Sequence, residues 1–197
     1  SSFSFQNTMS LIIRHISPTL QVPSARSTRI PVPFGRALAP VESSPMKLDS
    51  ILFSLAVSPE MKIPQEVLNK PTKLTAEEMD IIKMHPIYGH EMVKGQVAPA
   101  AAEVVLNHHQ RWDGRGYPTR IDARSGDELP PLAGKQIPIF SRIATMADVY
   151  DAATSQRCYS HAKLPVQALH EMRTTCRGYF DPVVEKAFYE IIPPFPI

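Results

Sequence analysis

Helix-start signals recur from Thr75 to the end of the chain, and they constrain the fold more than any other feature. Thr75 is followed three residues later by Glu78, which is the spacing of a capping box. Asp181 stands before a proline, the usual order of an N-cap and the first helical residue. Apolar residues follow these signals at helical spacing, and no alternating strand pattern of useful length appears. The sequence therefore predicts an all-α bundle.

The same signals give approximate bounds for the helices. We expect helices to start near residues 76, 85, 99, 138, 165 and 182, and the third of them to run through residues 108 and 109. Residues 110–134 are rich in Gly, Pro, Asp and Arg and have no sustained period. This stretch is predicted to be a long loop, either ordered or disordered.

The first 47 residues differ in composition from the rest of the chain. They hold six of the 20 prolines and five basic residues against one acidic residue, without helical or strand periodicity. We therefore expect an unstructured or non-native tail at 1–47, a folded domain at 48–192 and a short tail at 193–197. An organelle transit peptide, a linker and a gene-model artefact explain the first segment equally well.

Composition excludes several classes of function. The chain is 43% hydrophobic, enough for a core, but no run approaches the ~18 apolar residues of a membrane helix. Basic residues without interleaved aromatic residues are a weak signal for nucleic acid. Two cysteines are too few for a disulfide framework and indicate a reducing compartment. We expect a cytoplasmic protein with no membrane and no nucleic-acid polymer as partner.

Three of the seven histidines lie on or at the ends of predicted helices beside apolar residues: His85, His108 and His109. Asp148 interrupts an otherwise apolar helix pattern. Imidazole and carboxylate groups are the ligands of transition metals such as iron, manganese and zinc. Adjacent helical residues point ~100° apart, so His108 and His109 would suit two neighbouring ions better than one. Taken singly, each histidine could equally be an ordinary core or surface residue.

The run from His108 to Pro118, His-His-Gln-Arg-Trp-Asp-Gly-Arg-Gly-Tyr-Pro, resembles the signature of the bacterial HD-GYP family, cyclic di-GMP phosphodiesterases of the HD phosphohydrolase superfamily. Flanking motifs agree over residues 62–192, including Lys83 to Pro86, Asp148 to Ala152 and Phe180 to Pro182. Such a match in register with several spaced motifs is specific. The resemblance implies an HD-type helical bundle with a long GYP loop.

The resemblance also implies a reaction and its residues. Members of that family bind two or three metal ions, commonly iron or manganese. The positions of their ligands correspond in this sequence to His85, His108, His109 and Asp148. Asp151 matches a second acid one turn away on the helix of Asp148, either a further ligand or a group that supports one, and Arg157 matches a residue that contacts substrate phosphate. The GYP loop comprises Gly114, Gly116, Tyr117 and Pro118. In the family it borders the site, so we expect these residues to contact substrate, and it is also implicated in contacts with diguanylate cyclase domains. The implied activity is metal-dependent hydrolysis of cyclic di-GMP to pGpG and then GMP.

One departure from the family pattern is severe. Ala56 and Val57 stand where the family has its His-Asp dyad, and Glu60 stands where it has a lysine. Alanine and valine side chains have no lone pair to offer a metal, so we expect reduced metal stoichiometry and impaired hydrolysis. The domain would then be degenerate, or incomplete at its N-terminal side. The chain is then either an impaired phosphodiesterase or a non-catalytic signalling module that acts on a partner through the GYP loop.

Overall fold

The structure is a computed structural model and describes residues Thr8, Met9, Leu11, Ile12 and His15 together with 63–155 and 162–192. Between residues 63 and 192 the described segments form, in chain order, helices α1 (Gln65–Leu68), α2 (Ala76–Ile82), α3 (His85–Val93), α4 (Pro99–Asn107), α5 (Ile139–Thr154), α6 (Pro165–Thr175) and α7 (Pro182–Ile191). Two-residue strands β1 (Arg120–Ile121) and β2 (Glu128–Leu129) lie between α4 and α5. The prediction of an all-α fold is confirmed.

Side-chain caps form where the sequence predicted them. Thr75 Oγ1 accepts a hydrogen bond from the backbone N–H of Glu78 at 3.2 Å, and Glu78 Oε2 accepts one from the N–H of Thr75 at 2.8 Å. Asp181 Oδ1 accepts from the N–H of Val183 at 2.8 Å at the start of α7. Both caps satisfy backbone donors that have no partner inside the helix.

Prolines begin most of the remaining helices. Proline lies in the first turn of α3, α4, α6 and α7, where its missing N–H removes no helical hydrogen bond. Pro138 is the residue before α5. The predicted starts therefore agree with the structure, but α4 ends at Asn107, two residues earlier than expected.

Helix α5 is the centre of the bundle, because it packs against α4, α6 and α7. It buries Ile143, Met146, Ala147 and Tyr150, and the Tyr150 ring meets the Phe188 ring of α7 edge to face at a centroid distance of 5.3 Å. Its 16 residues include Asp148 and Asp151. Among the described residues, no helix is long and apolar enough to cross a bilayer.

The structure describes five residues of the N-terminal segment. Thr8, Met9, Leu11, Ile12 and His15 are helical, and Met9 and Ile12 are buried in the same core as α5 and α7. Their spacing of three residues places both on one helix face, a pattern too short to stand out among prolines and serines. The rest of 1–47, and 193–197, lie outside the described part, so the division into an unstructured or non-native tail at 1–47, a domain at 48–192 and a short tail stays a prediction.

The long loop after α4 is ordered. It contains the β1–β2 hairpin, in which Arg120 pairs with Leu129 and Ile121 with Glu128 in antiparallel register. Sequence analysis missed this hairpin because two-residue strands carry no alternating pattern.

Backbone hydrogen bonds fasten the first part of this loop to the connection between α6 and α7. The N–H of Trp112 donates to the Tyr179 carbonyl at 2.9 Å, and the N–H of Asp113 donates to the Gly178 carbonyl at 3.0 Å. The Arg111 guanidinium lies 3.4 Å from the centroid of the Tyr179 ring and pairs with Asp113. These contacts fix the chain that leaves His109, so they help to position the site described next.

Candidate metal centre

Three imidazole rings meet where α3 and α4 pack against each other. His85 is the first residue of α3, His108 is the C-cap of α4, and His109 follows it directly. Nε2 of His85 lies 3.1 Å from Nε2 of His108 and 3.1 Å from Nε2 of His109. One ligand nitrogen from each ring lies within 4.8 Å of the others. The structure thus brings together the three histidines that the sequence singled out.

Backbone carbonyls select the tautomers of two of these rings. Nδ1 of His85 lies 2.8 Å from the Ile82 carbonyl, and Nδ1 of His108 lies 2.8 Å from the Val105 carbonyl. A carbonyl oxygen can only accept, so each Nδ1 carries the hydrogen and, in the neutral ring, each Nε2 has a free lone pair. Hydrogen bonds of this kind orient metal-ligating histidines in proteins.

The donor set fits a divalent cation. Two lone pairs that face each other across 3.1 Å repel unless a proton or a cation lies between them. Ligands at the ~2.0 to 2.1 Å of a metal–imidazole bond lie ~3 to 3.4 Å apart on neighbouring coordination positions, close to the spacing seen here. The three-histidine cluster can therefore hold a divalent metal ion.

The helical argument for separating His108 from His109 does not hold in the structure. Because α4 ends at Asn107, His109 lies beyond the helix, and the two ring centroids are only 4.2 Å apart. The backbone turn after the C-cap swings the second ring back toward the first. Both histidines can consequently reach one ion.

The surroundings of His85 disfavour the charged form of its ring, and this lowers its pKa. Burial is the largest cause and the neighbouring His108 the second, and together they lower the pKa of His85 from 6.5 to about 4. His85 is therefore neutral at physiological pH, with its Nε2 lone pair available to a cation.

This shift predicts an acid-sensitive metal-free protein. Between pH 6.5 and about 4 the unfolded chain binds a proton at His85 that the folded chain does not, so the free energy of unfolding falls as the pH drops through this window. The expected loss from this group is about 3 kcal/mol, complete below pH 4. Urea unfolding at several pH values, with a chelator present to keep the protein free of metal, measures this change in the free energy of unfolding. The His85→Asn variant should lose this component; an unchanged slope would contradict the assignment.

The two acids of α5 lie in different relations to the cluster. Asp148 Oδ2 is 3.9 Å from Nδ1 of His109, on the other side of the ring from the Nε2 that faces His85. A carboxylate on this side of a histidine can orient the ring for metal binding. Asp151 lies one turn further along α5 and is partly buried. The prediction that Asp148 ligates the metal, with Asp151 behind it, stays a prediction.

Tyr117 of the GYP loop covers the cluster. Its ring stacks on the His109 ring at a centroid distance of 4.6 Å and an angle of 23°, and lies 6.3 Å from the His85 ring. Its N–H donates to the His109 carbonyl at 3.1 Å. Burial, and secondarily the negative charge of Asp148, raise the pKa of Tyr117 above its usual value, so the phenol stays protonated.

Gly116 is required by close approach of the backbone. A Cβ there would lie 2.4 Å from the Arg111 nitrogen and 2.5 Å from the His109 carbonyl oxygen, both of which are backbone atoms of the segment that carries the His109 ring. We predict that Gly116→Ala lowers the free energy of unfolding by 2 kcal/mol or more, roughly the upper range of overpacking. Gly126→Ala is the matched control: it has a φ of +77° but open space around it, so it should cost only about 1 to 2 kcal/mol. Equal costs in denaturant unfolding would contradict this reading.

The other predicted loop residues shape the backbone. Gly114 has a φ of +75°, and Pro118 is buried with its carbonyl accepting from Nε2 of Gln110 at 2.7 Å. Their binding of substrate remains a prediction. Arg157, and the positions Ala56, Val57 and Glu60, lie outside the described residues.

Sequence reasoning missed Gln110. It is 1% exposed although it follows two polar histidines, and it bonds the GYP loop. No local signal marks it, because an amide after the helix end reads as an ordinary loop residue. The Ile82 and Val105 carbonyls that orient the histidines were also invisible, since only helix ends free such groups.

Comparison with known proteins identifies the family. A family model described as HD domain matches residues 54–184. A cyclic di-GMP phosphodiesterase of Pseudomonas aeruginosa is 36% identical over 140 residues, which is 70% of this chain and 31% of the relative. The chain belongs to the HD-GYP family. The 3'3'-cGAMP-specific phosphodiesterase 2 of Vibrio cholerae is similar to this HD-GYP chain too, at 34% identity over 134 residues, 66% of the chain and 24% of the relative.

A solved structure supports the fold. An HDG"Y"P protein from Bdellovibrio bacteriovorus aligns with 95% of this chain and 50% of its own, with a TM-score of 0.58 and 12% identity. At that identity the likeness concerns the fold alone, and the predicted HD-type bundle with a GYP loop is confirmed. The chain spans 31% and 24% of the length of the two curated relatives.

Proposed function

We propose that this HD-GYP chain hydrolyses a phosphodiester bond of a cyclic dinucleotide, cyclic di-GMP first of all, to pGpG and then GMP. The observation that carries the proposal is the convergence of three imidazole Nε2 atoms, 3.1 Å apart at two of the contacts, with two of the rings held by backbone carbonyls. The names of the similar proteins, one specific for 3'3'-cGAMP, support a cyclic dinucleotide as the substrate class.

In this proposal the three histidines bind a metal ion, and Tyr117 covers the histidine cluster. A divalent ion held by His85, His108 and His109 would supply Lewis-acid polarisation of a phosphoryl oxygen and activation of water. His85 remains neutral because of its lowered pKa, so protons do not compete for its Nε2 at neutral pH. Tyr117 covers one face of His109 and, since it stays protonated, adds no charge to the site.

Three further residues take proposed roles. Asp148 either ligates the ion or acts through Nδ1 of His109, which lies 3.9 Å from its carboxylate, and Asp151 supports it from the next turn of α5. Arg157 would grip a phosphate of the substrate, because a planar guanidinium can bind two phosphate oxygens at once.

We further propose iron or manganese as the metal, since a mixed imidazole and carboxylate set suits both. Ala56 and Val57 would contribute no ligand, so the metal stoichiometry would be reduced and hydrolysis would be slower than at a complete two-metal site. The proposed location is the cytoplasm, because two cysteines without a disulfide framework fit a reducing compartment.

The non-catalytic alternative has less support. In that alternative Tyr117 would dock a diguanylate cyclase or other signalling domain, but its ring stacks on His109 and its backbone N–H is bonded to the His109 carbonyl. A side chain held inward offers little area to a partner. The similar proteins are also named as phosphodiesterases.

Hydrolysis assays on two substrates test the proposal. The full chain, loaded anaerobically with Fe²⁺ or Mn²⁺, is incubated with cyclic di-GMP or with 3'3'-cGAMP, and the products are separated by chromatography. We expect pGpG from cyclic di-GMP, in an amount that EDTA abolishes. Preferential cleavage of 3'3'-cGAMP would replace the substrate and keep the reaction class. No product from either would contradict the proposed activity.

A further inference from the structure

Gln110 is a buried amide beside the histidine pair. It is 1% exposed, and its Nε2 donates to the Pro118 carbonyl at 2.7 Å. Its Oε1 is buried with no hydrogen-bond partner among the described residues. Because turning the amide over would set oxygen against oxygen at Pro118, this bond fixes which way the side chain faces.

Two hydrogen bonds join the histidine segment to the Tyr117–Pro118 unit. The N–H of Tyr117 donates to the His109 carbonyl at 3.1 Å. The side-chain amide of Gln110 donates to the carbonyl of the next residue, Pro118. The Gln110 carbonyl in turn accepts from Thr145 Oγ1 of α5 at 3.3 Å. Gly116 brings the two backbones into direct contact. The loop therefore cannot move without the segment that carries His109.

These hydrogen bonds hold the Tyr117 ring against the His109 ring. His85 and His108 are each oriented by a carbonyl on Nδ1, whereas His109 has the Tyr117 ring on its face at 4.6 Å and the Asp148 carboxylate at 3.9 Å from Nδ1. A ring on one face restricts rotation of the imidazole about its χ2 bond. That rotation decides whether Nε2 of His109 faces His85.

We propose that Gln110 and Tyr117 form a clamp that sets the ring angle of His109 for metal binding. Tyr117 holds the imidazole through its aromatic face, and Gln110 is a positioning residue that holds Tyr117 through the Pro118 carbonyl. The inference deepens the proposed function, since it rests on the histidine cluster being a metal site. The GYP loop would on this view serve the interior of the domain.

Cobalt binding to the full chain tests the clamp without any nucleotide. Co²⁺ alone is the probe: its dissociation constant is measured by competition with a chromophoric chelator, and its visible absorption band reports ligand number and geometry. We expect Tyr117→Leu and Gln110→Met each to weaken binding 10- to 100-fold, as loss of an orienting partner typically does, and to change the band. Tyr117→Phe keeps the ring and should stay within about threefold of the original protein.

The clamp predicts that the two losses do not multiply. If Gln110 acts through Tyr117, the variant that combines Gln110→Met with Tyr117→Leu should bind Co²⁺ about as weakly as the single variant with the lower affinity. If the two residues acted independently, their fold-losses of affinity would multiply. Tyr189→Leu is the matched control, because that ring contacts Arg173 and Phe188 of the core instead. It should lower the unfolding temperature and leave Co²⁺ affinity unchanged.

Each remaining outcome is decisive. Unchanged Co²⁺ affinity and band in both Gln110→Met and Tyr117→Leu would overturn the clamp, as would equal losses in Tyr117→Phe and Tyr117→Leu. If Tyr117→Leu does not fold, Gln110→Met and Tyr117→Phe still decide. Failure of the unaltered chain to bind Co²⁺ would refute the metal site and the clamp together, whereas binding without hydrolysis of cyclic dinucleotides would refute only the proposed activity.

Discussion

Replacing His85 by asparagine is expected to abolish metal retention by the folded chain. The Nε2 of His85 is the nitrogen that both other rings approach at 3.1 Å, so its removal takes away the shared centre of the donor set. The loss of affinity should exceed the ~100-fold upper range seen for orienting partners, because a direct ligand is removed. Elemental analysis after loading with Mn²⁺ and desalting measures the metal bound per chain.

His90→Asn is the matched control for this experiment. His90 lies on the same helix and is partly buried, with Nδ1 near Glu91 at 3.7 Å rather than near the cluster. Its variant should retain as much metal as the original protein. Equal retention by the His85 variant would show that the ion binds elsewhere.

The second large effect concerns stability. Asp181→Ala should lower the free energy of unfolding by about 3 to 5 kcal/mol, the range for breaking a buried ion pair. Asp181 is 4% exposed; its Oδ2 accepts from Nη1 of Arg142 at 2.6 Å, and its Oδ1 caps α7. Truncation leaves the Arg142 guanidinium, whose side chain is 16% exposed, without its counter-charge. Urea denaturation gives the change in free energy.

Two further variants show how much of this loss of stability comes from the broken ion pair and how much from the smaller side chain. Asp80→Ala removes an exposed partner of Lys83 and should change stability by less than about 1 kcal/mol. Adding Arg142→Met to Asp181→Ala should restore part of the loss, because no buried charge is then left unpaired. A double variant as unstable as the sum of both single changes would contradict this account.

Much of the fold followed from local chemistry. The capping box at Thr75 and the N-cap at Asp181 each act within three residues, so the sequence alone could place α2 and α7. What it could not place depends on distant contacts. Met9 and Ile12 become helical and buried in a core made by α5 and α7, and two apolar residues carry too little pattern to predict this.

The site was predictable in its members and not in its geometry. Residue types and the family resemblance singled out His85, His108 and His109, but the expected divergence of the last two assumed a helix that in fact ends at Asn107. Gln110 was missed since its role depends on a loop that folds back by eight residues to Pro118. Helix ends and loop returns are decided by tertiary contacts, which a local pattern does not contain.

The most direct measurement follows metal content and cyclic di-GMP hydrolysis on one preparation. The full chain is titrated anaerobically with Mn²⁺ or Fe²⁺, and bound metal and released pGpG are determined at each step, alongside the His108→Asn variant. The account predicts about one ion per chain, with product appearing as that ion binds and no product from the variant. Stoichiometric binding without product, or product that appears equally in the variant, would contradict it.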